Sequence, residues 1–421
     1  MAFFLTSGMV SAKLNVEYCF CDLTWLEGGA LMQARVNVSD DILQWIMAQV
    51  RLESLPDRIA NNLAMWCKKE KIPTFNQIED TSRATGIPLG YFFLKTPPKE
   101  DLSLVEYRTV DSAELTNPSR ELMDTMHDME RVQEWVRSQL IAEDASKLPF
   151  IGAQRQEKDA DRFANYVREI LGLEIDWFRK SKGAWASFGR LRAAMNDIGV
   201  IVMTSGIVAN NTHRPLNINE FRAFAMEDDI APLIFINGND SENGKLFSLL
   251  HEFAHLCLGE SSLYNERYYS GQQKKHTETI CNAVAAEMLV PQTLFVQAWQ
   301  TEVKNADEEQ VIRILAKDFR CGLTVVARRA LDNGFIEQKL YNKIAELAIK
   351  LYNEQKKRQK ESGGGDFYKT AANRIDARFL RMLAGSVATG KTLYSDAFRL
   401  TNTNRFTFAK LVEHMGGERN E

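Results

Sequence analysis

The chain of 421 residues carries 52 Lys+Arg against 56 Asp+Glu, a formal charge of −4, which excludes a uniformly basic nucleic-acid coat. At 45% hydrophobic and 26% charged residues, the composition is that of a globular protein with room for two or three domains, and disorder throughout is excluded. Apolar runs such as Pro232-Leu-Ile-Phe-Ile236 fall far short of the roughly 18 residues that cross a bilayer, so no membrane span is expected. Cysteines at 19, 21, 67, 257, 281 and 321 make neither a disulfide framework nor a CxxC pair, which fits a reducing cytoplasm. Met1-Ala-Phe-Phe-Leu-Thr has no basic n-region and only a short apolar run, so no targeting segment is read there.

Residues 1–31 lack a clear period and are taken as an N-terminal extension, with Met32 as the natural start. Ser39, Asp40 and Asp41 then make a good helix N-terminus before Ile42-Leu-Gln-Trp-Ile-Met47. Short helices with turns follow to about residue 96, giving a small helical domain over 32–105, which Thr96-Pro-Pro-Lys99 breaks. From Ser119 to about Ala145, Leu122, Met126, Met129, Val132 and Trp135 recur at helical spacing, which reads as a connector helix in 106–150. Residues 151–335 read as a mixed domain. Helices are expected near 157–171 and 184–197, strands over 199–204, 221–225 and 232–237, and helices again from about 243. A basic helix at 339–361, with seven Lys/Arg against three Glu, carries a Leu340, Ile344, Leu347, Leu351 stripe. It lies in 336–365, which ends in the linker Ser362-Gly-Gly-Gly365 and precedes a C-terminal helical appendix over 366–421. No internal repeat is present.

The chain has six histidines, and two of them stand four apart in Leu250-His251-Glu252-Phe253-Ala254-His255-Leu256. At 3.6 residues per turn, both imidazoles lie on one helical face and can point at one metal ion. Glu252 then sits beside the open coordination position, where a carboxylate can take a proton from water acidified by zinc. Two ordinary histidines on a helix would give the same letters by chance on the order of once in a hundred such chains. The apolar flanks Leu246, Phe247, Leu249, Leu250, Leu256 and Leu258 also suit the buried helix that a zinc site needs.

A catalytic zinc takes three protein ligands and leaves a position open. Downstream candidates for the third are Glu260, Glu266, His276, Glu278 and Glu287. Glu260 stands barely a turn past His255, so it is poorly placed to reach the ion's other side. A second helix, from Thr277 to Pro291, can return to the site, and its first-turn carboxylate Glu278 is the expected third ligand. Its small residues Ala283, Ala285 and Ala286 allow close packing. His276 is the alternative, as a ligand or as a donor to an oxyanion, set against an ordinary helix-start histidine.

Leu246-Phe-Ser-Leu-Leu-His-Glu-Phe-Ala-His255, followed by Glu278-x-x-Cys-Asn-x-x-Ala-Ala-Glu-Met-Leu-Val-Pro291, resembles the ImmA/IrrE family of zinc metallopeptidases. The resemblance extends over most of the chain from Met32. Phe221-Arg-Ala-Phe224 and Ala231-Pro-Leu-Ile-Phe-Ile-Asn237 are similar to the strands preceding that family's active-site helix. Ile72-Pro-Thr-Phe-Asn-Gln-Ile78, Pro88-Leu-Gly-Tyr-Phe-Phe-Leu94 and Glu106-Tyr-Arg-Thr109 are similar to the XRE-type helix-turn-helix domain that many members carry in front. The resemblance implies His251, His255 and Glu278 as zinc ligands and Glu252 as general base. It also implies cleavage of a partner protein, a repressor or a toxin–antitoxin component. The fold expected is α+β and mostly helical, a zincin-like domain with a small sheet flanked by small helical domains.

Two departures bear on function. The segment from Leu55 to Pro73 is short for a second and a recognition helix, and Trp66-Cys67 stands where such domains usually carry Trp-Glu. Residues 40–100 hold eight basic and eight acidic side chains, so DNA binding is weakly supported, and dimerisation (a homodimer) or substrate docking is the competing role. Ile314–Ala330, also helix-turn-helix-like, is read as a cap on the peptidase domain. Gly385-Ser-Val-Ala-Thr-Gly-Lys-Thr392 fits the P-loop expression, but a charged amphipathic helix precedes it instead of a buried strand and only 29 residues follow, so ATP binding is rejected. The expected protein is a cytoplasmic zinc endopeptidase. The alternative is a non-catalytic DNA- or protein-binding regulator, antitoxin-like, with a structural metal.

Overall fold

The computed structural model describes residues 35–50, 52, 55–98, 118–264, 272–361 and 373–417. The chain divides into two units, the first lying N-terminal to residue 121 and the second running from Glu121 to the C-terminus.

Among its described residues the first unit is built of helices, α1 (Asp40–Gln49), α2 (Asp57–Cys67) and α3 (Phe75–Thr85), followed by a 3-10 turn at Leu89–Phe93. Its own core joins Ile42, Ile46, Leu63, Trp66, Ile78 and Phe92. A capping box between Thr74 and Gln77 starts α3, and Gly86, at φ 74°, ends it in the left-handed region. Ser39 precedes α1 without a side-chain cap bond; its hydroxyl donates instead to the Lys95 carbonyl at 2.8 Å, tying the two ends of the unit together. Between Leu55 and Pro73 stands a single helix, α2.

The second unit is a mostly helical α+β structure. Its helices are α4 (Arg120–Ala142), α5 (Ala160–Ile170), α6 (Ala184–Asp197), α7 (Glu242–Leu258), α8 (Gln272–Leu289), α9 (Gln292–Glu302), α10 (Glu308–Asp318), α11 (Leu323–Asp332), α12 (Gln338–Glu361), α13 (Ala377–Ala388), α14 (Tyr394–Thr401) and α15 (Arg405–Gly417). The main sheet has the order β1-β5-β4-β6, from β1 (Ile201–Ser205), β5 (Leu233–Asn237), β4 (Ala223–Met226) and β6 (Ser262–Tyr264). β1 runs parallel to β5, while β4 is antiparallel to both β5 and β6. A small hairpin joins β2 (Ile207–Val208) to β3 (Asn211–Pro215).

Side chains alternate between two buried faces, which explains why these strands read as unbroken apolar runs. Val202, Ala223, Ala225, Ile234 and Ile236 join the core with helices α5–α11. Ile201, Met203, Phe224, Leu233 and Phe235 join a second core with Leu122, Met126, Val132 and Val136 of α4, Phe379 and Leu383 of α13, and Leu411 of α15. The helix expected as a connector and the segment expected as an appendix therefore form the second helical layer on the sheet. The apolar stripe of α4 is buried against β-strands because both sheet faces are hydrophobic and need a cover. Buried Asp376 fixes this layer: it caps α13 at Phe379 N (2.9 Å) and accepts from Val202 N (2.9 Å) and Asn196 Nδ2 (2.6 Å).

The stripe on α12 is covered at Ile344 but open at Leu351, which is 43% exposed. The P-loop-like segment continues α13 through Ala388 and turns at Gly390, φ 72°; Thr392 bonds Ser386 and Trp135, and among the described residues a helix, not a strand, leads into it. Among the described residues no single helix is long and apolar enough to cross a membrane.

Candidate metal centre

α7 springs from the end of β5 through a tight turn. Ser241 caps it by accepting from Gly244 N at 2.9 Å. Gly244 packs so closely on Asp240 that a Cβ there would lie 2.4 Å from Oδ1. At the other end Gly259 (φ 72°) closes the helix in the left-handed region, and the Leu256 and Cys257 carbonyls are taken up by Gly152 N (3.1 Å) and Gln154 N (2.8 Å). The helix between is sealed in the core: Leu249, His251, Glu252, Phe253 and Ala254 are each fully buried.

The i, i+4 spacing sets His251 and His255 side by side, their Nε2 atoms 3.1 Å apart. α8 packs across α7 on Cys281, Val284 and Ala285, all fully buried, and brings Glu278 to both imidazoles. Glu278 Oε2 lies 3.1 Å from His251 Nε2, and Oε1 lies 3.4 Å from His255 Nε2. Donors about 2.0–2.1 Å from a tetrahedral ion lie roughly 3.3–3.5 Å from one another, so these separations suit one cation. The three side chains form the one group among the described residues with such a donor set.

Electrostatics point the same way. Burial would raise the Glu278 carboxyl, yet hydrogen bonds from His251 and His255 hold it far below the usual carboxylate range. Burial would lower His255, but Cys281 and Glu278 beside it raise it well above the ordinary imidazole value. The surroundings thus favour positive charge at a place that a cation can take.

Glu252, the residue after the first of the pair, does not join the donor set. Burial pushes its carboxyl up, while His251, His255 and the Ser262 hydroxyl pull it back. Ser262 on β6 donates to Oε2, and Oε1 is buried without a hydrogen-bond partner. Only Glu278, 16% exposed at its side chain, opens the cluster toward solvent.

The sequence candidates separate clearly. His251, His255 and Glu278 come together. α8 begins at Gln272, more than a turn earlier than expected, because Gln272-Gln-Lys-Lys275 continues the helix; Glu278 therefore lies in its second turn and His276 inside the helix. His276 is exposed and, two residues from Glu278, points to a different face. Glu260 is exposed beyond the end of α7, and Glu266 lies outside the described residues. Glu287 turns away to a buried cluster with Arg168 and Arg329. Sequence reasoning missed Ser262, the second of two serines with no motif around them, and Cys281 and Asn282. The last two lie inside the motif 278–291 but had no role assigned; Asn282 has a buried, unpartnered Oδ1 one turn beyond Glu278.

Residues 196–331, from the end of α6 into α11, match the Peptidase_M78 family model, described as the IrrE N-terminal-like domain. Over those residues the chain is similar to the ImmA/IrrE family. The match encloses the sheet, the helix with the paired histidines and the helix with Glu278, so the IrrE-like domain holds the whole donor set. Residues 375–414 match a domain of unknown function, DUF8813, which here is the α13–α15 layer behind the sheet. No curated protein matches the chain.

Proposed function

We propose that this chain is a zinc-dependent endopeptidase that cleaves a regulatory partner protein, with Glu252 as general base. The carrying observation is the pairing of a three-donor site with a buried carboxylate that is not one of the donors. A structural zinc is closed by four protein ligands, whereas two imidazoles and one carboxylate leave a position open. His251, His255 and Glu278 would hold the ion, which supplies Lewis acidity toward a water and a peptide carbonyl. Glu252 Oε1, the oxygen with no protein partner, accepts the water's proton and returns it to the departing amine. The buried walls of α7 and α8 exclude bulk water and strengthen that transfer.

The regulatory character of the substrate rests on the resemblance of residues 32–109 to the module that family members carry ahead of the peptidase. A separate helical unit with its own core suits docking of a partner. Three of its cations, Arg58, Lys69 and Arg83, each pair with an acidic side chain, and its balanced charge suits protein docking better than DNA binding. The described cysteines 67, 257, 281 and 321 are all free, in keeping with a cytoplasmic setting.

Glu252→Gln keeps size and leaves the donors untouched. It should retain metal and slow cleavage by about 10²- to 10⁴-fold, the range of general acid–base catalysis. The partner trapped by this variant is the substrate to assay. Full biological response with Glu252→Gln, together with loss of response in His255→Ala, would make the metal architectural and the chain a binding regulator.

A further inference from the structure

Glu252 has one tether in the fold. Its carboxylate is fully buried in a helix packed by apolar neighbours, so its orientation is set by whatever donors the surrounding elements present. Oε2 receives one, the Ser262 hydroxyl; Oε1 receives none. Two independent contacts determine where Ser262 stands. In the β4–β6 ladder it is opposite Ala225, whose side chain faces α7, while its neighbour Leu263 is opposite Phe224 and faces the other core. The adjacent Ser261 accepts from Glu227 N at 2.9 Å, pinning the start of β6 to the residue after β4. The pleat therefore aims one hydroxyl of the edge strand at the helix, seven residues past His255.

We propose that Ser262 is a positioning residue that holds Oε2 of Glu252 and so turns Oε1 toward the cation's open side. The proposal deepens the endopeptidase reading and rests on it. A carboxylate anchored at one oxygen keeps a single acceptor direction for the incoming proton, and the hydroxyl also satisfies one of two buried oxygens that would otherwise both be unpaired. A hydroxyl placed to block the site would have to occupy Oε1 as well, and it bonds Oε2 alone.

A test needs no peptide substrate. Acetohydroxamate binds an open catalytic cation through its two oxygens and gives its O–H proton to a carboxylate alongside, so its affinity reads the orientation of Glu252. Calorimetric titration of the zinc-loaded full chain should show Ser262→Ala binding about 10- to 100-fold more weakly than the unaltered protein, the range of hydrogen bonds to charged groups. Metal content should stay level and the melting temperature should fall by no more than a few degrees, the cost of one unpaired buried oxygen, while Ser262→Thr, which keeps the hydroxyl, should restore affinity to within a few-fold. Unchanged affinity in Ser262→Ala overturns the proposal. Tighter binding would show that the hydroxyl competes for Glu252. Equal weakening in Ser262→Ala and Ser262→Thr, with metal lost, would reduce the contact to architecture. If the unaltered protein fails to bind acetohydroxamate, or Glu252→Gln binds it equally well, the general-base reading itself falls; a weakened Glu252→Gln beside an unaffected Ser262→Ala removes the positioning role alone.

Discussion

Glu287→Ala should cost several kilocalories of stability while leaving the metal in place. Glu287 stands on α8, about two and a half turns from Glu278, and accepts from Arg329 Nη2 at 2.9 Å, Gln292 N at 3.1 Å and, more distantly, Arg168 Nη2 at 3.5 Å. Its side chain and that of Arg168 are each only 6% exposed, and that of Arg329 is 17%. Burial raises the Glu287 carboxyl despite both arginines, and burial lowers the Arg168 guanidinium, so desolvation outweighs attraction on each side. The cost of removing the carboxylate therefore comes from stranding two cations. Breaking a buried pair costs about 3–5 kcal/mol. Arg168 keeps the Glu287 backbone carbonyl at 2.6 Å and Asn165 Oδ1 at 2.7 Å, which places the loss at the lower end, about 3 kcal/mol. With a urea slope of about 3 kcal/mol/M, the midpoint should fall by about 1 M. Elemental analysis of the folded variant should return the same metal content as the parent. A midpoint shift under about 0.3 M, or metal lost from protein that remains folded, would refute the assignment of Glu287 as an architectural node linking α5, α8, α9 and α11.

Purified protein should hold about one zinc per chain, and His255→Ala and Glu278→Ala should each lose it, as measured by elemental analysis after dialysis. Because Cys281 and Glu278 raise His255 above its ordinary imidazole value, zinc binding should expel a proton from the site, read from calorimetry in two buffers of different ionisation enthalpy, and affinity should fall as pH falls. In the metal-free protein, the His255 contribution to stability is present below 6.5 and lost as pH rises through its raised folded value. That of Glu278 is present above 4.5 and lost as pH falls through its depressed one, so a melt series should peak between these limits. Ending the chain at residue 365 removes Phe379, Leu383 and Leu411 from the sheet's second face, and at about 1.5–3 kcal/mol per buried side chain the truncated protein should lose soluble yield and melt far lower. An unchanged melt would return these helices to the status of an appendix.

The parts of this protein that were legible in its sequence are those written in local spacing. The i, i+4 histidines of α7 need only the helical period to share a face, and the apolar runs at 199–204 and 232–237 need only their length and flanks to read as buried strands. Glu278 was within reach because a helix following a reversal is the one nearby element that can present a carboxylate to that face, although the start of α8 was misplaced by more than a turn. What the tertiary structure alone decided involves partners far apart in the chain. The stripe on α4 announces a buried face without saying against what; it took β-strands 60–110 residues later, and α13–α15 beyond them, to show that both sides of the sheet are covered. Ser262 reaches Glu252 because an edge-strand pleat aims it there, and Glu287 leaves the site because two arginines 119 residues before it and 42 after it claim its carboxylate. Periodicity encodes which face of an element is buried, while the identity of the partner depends on how distant elements stack, and no local pattern carries that.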